Sequence, residues 1–166
     1  MAYRDDELSG IGGWLMFFVL TLGVFTPLGV LFAIGYRLYL SDLPAQLGSF
    51  PGWPVYRISE TILGAAHLAV ALFLTWRLVA IRQWSSVRMT IIGIWAMGIG
   101  VTLADFALTV WVLGANSDAV LGTEMLSLVR AAGYGAIWTA YLLRSERVAN
   151  TYPRYGDEDQ LAAVFD

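Results

Sequence analysis

The sequence predicts an all-α integral membrane protein, a four-helix bundle forming one domain over residues 1–166, with both termini cytoplasmic. Three observations carry this expectation. Hydrophobic residues make up 58% of the chain and mean hydropathy is +0.64. Charged residues make up only 14%, against about 25% in soluble domains. Four apolar runs lie near residues 12–40, 56–81, 87–113 and 121–143, and each reaches the roughly 20 residues needed to cross about 30 Å of hydrocarbon. Backbone groups in lipid must be satisfied internally, so such runs are helices, and the alternation a barrel requires is absent.

The leader, residues 1–11, is acidic ("MAYRDDELSG"). The run behind it is too long for a secretory signal and no A-x-A site follows, so it stays in the membrane. Within that first helix "GVFTPLG" places Pro27 at mid-membrane. Its missing N–H and its ring predict a kink near Gly23, either for packing or as the broken helix of a transporter. The segment "SDLPAQLGSFPGWPV", with Pro44, Pro51, Pro54, Gly48 and Gly52, is an outer loop that Phe50 and Trp53 anchor in the headgroups. Trp14, Trp76 and Trp84 fall near the inner boundary, and Trp53, Tyr56 and Trp111 near the outer one, as an aromatic belt requires.

Arg77, Arg82 and Arg88 crowd the second loop and Arg144, Arg147 and Arg154 follow the last helix, whereas the third loop "GANSDAVLGTE" is acidic. By the positive-inside rule the termini are cytoplasmic, and the expected location is a bacterial inner membrane crossed several times. The tail, residues 152–166, is acidic and then briefly apolar, the composition of a disordered segment or a docking site for another protein.

All ten basic residues are Arg and the net charge is −3, with no basic tract for nucleic acid. Zero Cys excludes disulfides, thiolate metal sites and iron–sulfur clusters. With one His there is no second imidazole to complete a metal site. No nucleophile elbow, H-E-x-x-H or phosphate loop is present, so no enzyme and no cofactor is expected.

The second helix holds the candidate site. Arg57, Glu60, Gly64, His67 and Ala71 recur at spacings of three and four and share one face. That stripe is charged near the outer boundary and small and apolar further in, where Gly64 and Ala71 admit a close neighbour. At about 1.5 Å per residue, His67 lies near the membrane centre and Glu60 within roughly 10 Å of its outer edge. Arg37, Asp105 and Arg130 stand at matching depth on the other helices. Charges at that depth cost a few kcal/mol each and need partners or a cavity. The expected site is therefore a polar pocket open outward, formed by Arg37, Arg57, Arg130, Glu60, Asp105 and His67. One surplus guanidinium suits a phosphate or carboxylate. Three readings stay open: the pocket binds or moves an amphiphile or lipid with an anionic head; the charges lock helix register in a structural subunit; or Glu60, His67 and Asp105 relay protons in a dimeric carrier. Small-residue lines at Ala96, Gly100 and Ala104, and at Gly133 and Ala136, offer surfaces for packing or a homodimer.

Two terminal motifs complete the reading. "GIGGWL" opens the first helix and "YLLRSERVANTY" closes the fourth. They resemble the bacterial membrane family catalogued as domain of unknown function 2569, with its I-G-G-W-L start and Y-F-x-x-S-x-R-V-x-x-T-F finish. Gly12, Gly13, Trp14, Tyr141, Ser145 and Arg147 match, as do Ile11, Leu15, Val148 and Thr151; Leu142 and Tyr152 replace Phe, and Ala140 a common Pro. The resemblance implies four spans and supplies no activity. Gly12 and Gly13 leave room for close packing, Trp14 anchors at the headgroups, and Ser145 and Arg147 fall beside them. Arg144 and Arg147 are placed to meet anionic lipid phosphates or to dock the inner loop.

Overall fold

The computed structural model of the chain describes residues 9–41 and 51–153. Leader residues 1–8, the loop residues Pro44, Gly48 and Phe50, tail residues 154–166 with Arg154, and the side chain of Arg37 lie outside the described residues. The first long stretch comprises α1 (Gly13–Leu20), a π-helical turn (Thr21–Phe25) and α2 (Thr26–Ser41). The second is α3 (Trp53–Ala80). The third comprises α4 (Trp84–Trp95), a second π-helical turn (Ala96–Gly100) and α5 (Val101–Trp111). The last is α6 (Ser117–Arg144), followed by the short α7 (Glu146–Thr151). No strand occurs among the described residues.

Three stretches, Gly13–Tyr36, Trp53–Ala80 and Trp84–Trp111, are long and apolar enough to cross a membrane. The helix α6 equals α3 in length, 28 residues each, but Asp118, Glu124 and Arg130 dilute its apolar content and it is not among the three.

Local chemistry accounts for most boundaries. Pro54 sits in the first turn of α3, where its missing N–H costs nothing. Asn116 caps α6, its side chain accepting from the Asp118 N–H at 2.9 Å. Ser145 ends α6 in extended geometry and caps α7, its hydroxyl accepting from the Val148 N–H at 3.4 Å. The fourth helix thus stops at Arg144 instead of running on. The irregularity expected near Gly23 is the π-helical turn just before Pro27, a residue with no N–H to give the Gly23 carbonyl. A Cβ at Gly23 would lie 2.5 Å from Thr75 Cγ2, so this turn also rests directly on α3.

The second π-helical turn has no proline to announce it. Its sequence is "AMGIG", and the Gly98 carbonyl is taken up by the Thr102 hydroxyl at 2.8 Å. Gly98 provides the close approach of the third stretch to α6, where a Cβ would stand 3.2 Å from Ala131 Cβ. Gly135 provides another, against the Trp95 indole, whose Nε1–H donates to Thr139 Oγ1 at 3.0 Å. These differ from the expected small-residue lines: nothing stands within 4 Å of a Cβ built at Gly100 or Gly133, and Ala96 and Ala136 are exposed.

Along the chain α2 packs on α3, α3 on α4 and α5, and α4 and α5 on α6. Phe18 of α1 closes the circuit against Trp138 of α6, ring centroids 4.6 Å apart. The buried core lies toward one end, where Leu15, Phe18, Leu78, Val87, Leu142 and Val148 are almost wholly enclosed. The opposite end is looser, and α5 has no buried residue. Outside, Phe32, Ile62, Ile92, Val129 and Ile137 are exposed on every long stretch, a surface a soluble domain would not sustain. Trp14, Trp76 and Trp111 are exposed as belt residues should be, but Trp84 is half-buried against the core.

Candidate functional site

Two arrangements bring sequence-singled residues together. The first is a cavity of about 140 Å³ among α2, α3 and α5, lined by Glu60, His67 and Asp105 together with Gly64, Ile34 and other apolar residues. Glu60 is 3% exposed, as close to full burial as any acidic side chain described. Asp105 accepts from the Tyr56 hydroxyl at 3.3 Å, and Glu124 of α6 lies near enough to feel its charge. Gly64 lets α3 lie close to α2 here: a Cβ would stand 3.0 Å from Ile34 Cδ1, so that side chain would have to give way.

His67 also lines a second cavity of about 190 Å³, with Leu22, Thr26, Met97, Gly98 and Tyr134 among its walls. Both π-helical turns contribute to it, through Leu22 from one and Met97 and Gly98 from the other. Such turns widen a helix by one residue and frequently accompany functional sites. The imidazole is thus the shared wall between a polar outer chamber and a mostly apolar central one. Beyond the central chamber the packed core of Phe18, Leu74 and Trp138 begins.

Arg57 and Arg130 do not join this constellation, and the side chain of Arg37 lies outside the described residues. Arg57 is half-buried but does not line the cavity, and Arg130 is exposed on α6 and lines neither chamber. Arg57 sits at the edge of the α3 stripe, one turn above Glu60, so a shared helical face did not carry it inward. Among the described residues no group of three or more His, Asp or Glu is placed to hold a metal ion. Tyr56, Thr26, Tyr134 and Glu124 were not singled out from the sequence as site residues. Tyr56 was findable, being four residues before Glu60 on the same stripe; Tyr134 depends on how α6 is rotated, which composition does not fix.

The second arrangement is at the opposite end, where the two terminal motifs meet. The Arg147 guanidinium donates to the Ser9 carbonyl at 3.3 Å. A Cβ at Gly12 would sit 2.9 Å from Arg147 Nη1, and Gly13 adopts φ +55, a left-handed geometry that favours glycine. Thr151 Oγ1 donates within reach of the Gly10 carbonyl at 3.3 Å and the Arg147 carbonyl at 2.6 Å. The Tyr152 hydroxyl donates to the Leu78 carbonyl of α3 at 2.7 Å, and its ring is fully buried. Burial raises this phenol to about 12 against the opposing pull of Arg82. Tyr141 is half-buried against the core, and its carbonyl accepts from the Ser145 N–H at 2.9 Å. Every motif residue other than exposed Trp14 therefore has a packing or hydrogen-bonding task in one clasp.

A family model described as Protein of unknown function (DUF2569) matches residues 8–153. No curated protein and no solved structure matches the chain.

Proposed function

The chain belongs to the DUF2569 family, and from that premise we propose a four-span, non-enzymatic membrane protein that binds, and as a homodimer moves, a small cationic or protonatable group through its outward polar cavity. The single observation that carries this reading is that Glu60, His67 and Asp105 line one cavity whose described lining holds no arginine. Carboxylates in an apolar setting favour a cation or a proton over an anionic head. Among the described residues no group of three or more His, Asp or Glu is placed to hold a metal ion, and a diffuse cation such as an alkylammonium is the better match to the cavity. Among the described residues the titratable groups that line it are Glu60 and His67 from α3 and Asp105 from α5; the Tyr56 hydroxyl donates to Asp105, and Glu124 of α6 lies near enough to feel its charge.

The four-span reading is supported by the clasp. Contact between Gly12 and Arg147 brings these two parts of the chain to one end, which fits an even number of crossings and supports counting α6 as a span. Arg77, Arg82, Arg88 and Arg144 near that end favour placing it in the cytoplasm of a bacterial inner-membrane protein. Four helices are few for a carrier, and exposed Ala96 and Gly100 give a second copy room for close approach.

Calorimetric titration of tetramethylammonium into the full chain in lipid nanodiscs tests the reading. Saturable binding is expected for wild type and for the Arg57→Gln, Arg130→Gln pair, weakening as pH falls, and lost in Glu60→Gln and Asp105→Asn. An anionic lipid retained in native mass spectrometry and lost in the arginine pair would instead restore the anionic-head reading. No binding in any variant, with the carboxylate variants merely less stable, would leave a structural subunit.

A further inference from the structure

The clasp end carries a cluster of charges of one sign. From residue 61 to residue 104 the chain contains Arg77, Arg82 and Arg88 and no Asp or Glu. Arg77, in the last turn of α3, donates from Nη2 to Ser85 Oγ at 3.2 Å across the turn into α4. Its guanidinium stands 6.0 Å from the centroid of the Phe73 ring, and its Nε is enclosed with no acceptor among the described residues. Ser85 in turn donates to Gln83 Oε1 at 3.4 Å. Arg88 is exposed, three residues beyond Ser85 and so its neighbour on one face of α4. The Arg77 bond and the helix spacing thus bring two arginines to one hydroxyl.

The surface leading away from this cluster is apolar. Phe73, Val70 and Ala66 precede Arg77 at successive intervals of four, three and four along one face of α3, and all three are exposed. Met89 and Ile92 continue the Ser85 face of α4 and are also exposed. Ala66 then opens a groove of about 480 Å³ between α3 and α5, with Leu63, Ala104, Ala107 and Trp111 among its other walls. From Arg77 to Ala66 is about 16 Å along the helix, close to the roughly 15 Å of hydrocarbon in one leaflet. Trp76, exposed beside Arg77, suits the headgroup level.

We infer that the clasp end holds one anionic phospholipid of the adjoining leaflet. Its phosphate lies between Arg77 and Arg88 with Ser85 as a third donor, and one acyl chain runs over Phe73 and Val70 to the mouth of the groove at Ala66. This stands apart from the cation reading, whose residues line a different part of the molecule. A guanidinium presents a planar fork that matches a phosphate. Phe73 and Ser85 hold the Arg77 fork in place before the lipid arrives, which lowers the cost of ordering it. Arg147 is engaged within the clasp at the Ser9 carbonyl, which leaves the phosphate to Arg77 and Arg88. A phospholipid, and not a free anion, is the occupant because the cluster stands at the head of an exposed apolar face one leaflet long.

The test is native mass spectrometry of the full chain in mild detergent, supplied with equal phosphatidylglycerol and phosphatidylcholine of matched chains. High salt screens diffuse attraction to the basic end. Wild type is expected to retain phosphatidylglycerol over phosphatidylcholine, and the Arg77→Gln, Arg88→Gln pair to weaken that retention about tenfold or more. Ser85→Ala, an exposed change that leaves both charges, should weaken it about threefold. The Arg82→Gln, Arg144→Gln pair removes the same charge from the same end and should stay within about twofold of wild type, as should the Arg57→Gln, Arg130→Gln pair. Absence of a phosphatidylglycerol preference, or equal losses in the two clasp-end pairs, overturns the inference. Loss confined to the Arg57, Arg130 pair places the lipid at the other end and overturns it too. Two further results assign the cluster elsewhere and overturn it: displacement of the lipid by excess inorganic phosphate, which makes it a free-anion site, and retention only after Asp157→Asn, Glu158→Gln and Asp159→Asn together, which gives it to the chain's own acidic segment.

Discussion

The two ends of this molecule solve opposite problems. At the clasp end Leu15, Phe18, Leu78, Val148 and Tyr152 are shut away, and Arg147, Thr151 and Tyr152 deliver their donors to backbone carbonyls from distant parts of the chain. At the opposite end α5 buries nothing fully, and Glu60, His67 and Asp105 line a cavity. Stability concentrated at one end leaves the other free to open, because local openings draw on the least packed contacts. The difference also teaches where to look for chemistry. The two terminal motifs belong to the clasp, and the cavity lined by Glu60, His67 and Asp105 lies away from it.

The sharpest way to break this contrast is to truncate one apolar side chain at each end. Phe18→Ala, which vacates the site against Trp138, is expected to cost about 3–5 kcal/mol, whereas Leu63→Ala, from a half-buried groove wall, should cost about 1 kcal/mol or less. Unfolding in mixed micelles measures both, and equal losses would mean that the outer half is as tightly packed as the clasp. Next in size is Arg147→Ala, which strips the Ser9 carbonyl of a charged donor. It should cost about 1.5 kcal/mol and leave tetramethylammonium affinity per folded molecule unchanged. The third sharpens the contrast from the other side. Asp105→Asn keeps an acceptor for the Tyr56 hydroxyl, so its melting temperature should stay within about a degree or two of wild type, while cation affinity falls about tenfold.

Much of this was legible in the sequence, and what was not has physical causes. Long apolar runs identify helices because lipid leaves the backbone no other choice, and Pro27 announces its own irregularity. The turn at Ala96–Gly100 carries no such marker, since nothing in "AMGIG" forbids an ordinary α-helix. The same limit applied to the site. Spacing put Glu60 and His67 on one face and depth put Asp105 beside them, and the cavity gathers all three. The shared face also recruited Arg57, which sits at its edge, and depth alone recruited Arg130, because distance along the membrane normal says nothing about rotation about a helix axis. Within the bundle the close approaches fall beside the expected small-residue lines: Gly98 and Gly135 touch neighbours, whereas Gly100 and Gly133 do not. A glycine permits close approach without stating which neighbour will come.

The smallest expected effect carries the clearest signature. Tyr152→Phe removes one buried hydrogen bond to Leu78 and should cost about 1 kcal/mol at neutral pH. A tyrosine ordinarily titrates near 10, and burial raises Tyr152 to about 12 although Arg82 pulls the other way. The folded protein therefore holds this proton more tightly than the unfolded chain does. The associated stability is complete below about pH 10 and drains away as pH rises toward about 12. Wild type should lose stability across that window relative to Tyr152→Phe, which has no phenol there to ionise, so the difference between the two curves narrows while every other alkaline titration cancels. Arg82→Gln removes the attraction for the phenolate and should move the window upward. A difference that stays constant from pH 9 to 12 would mean that the ring is not held away from water, and the contrast between a sealed end and an open one would lose its best-defined side chain.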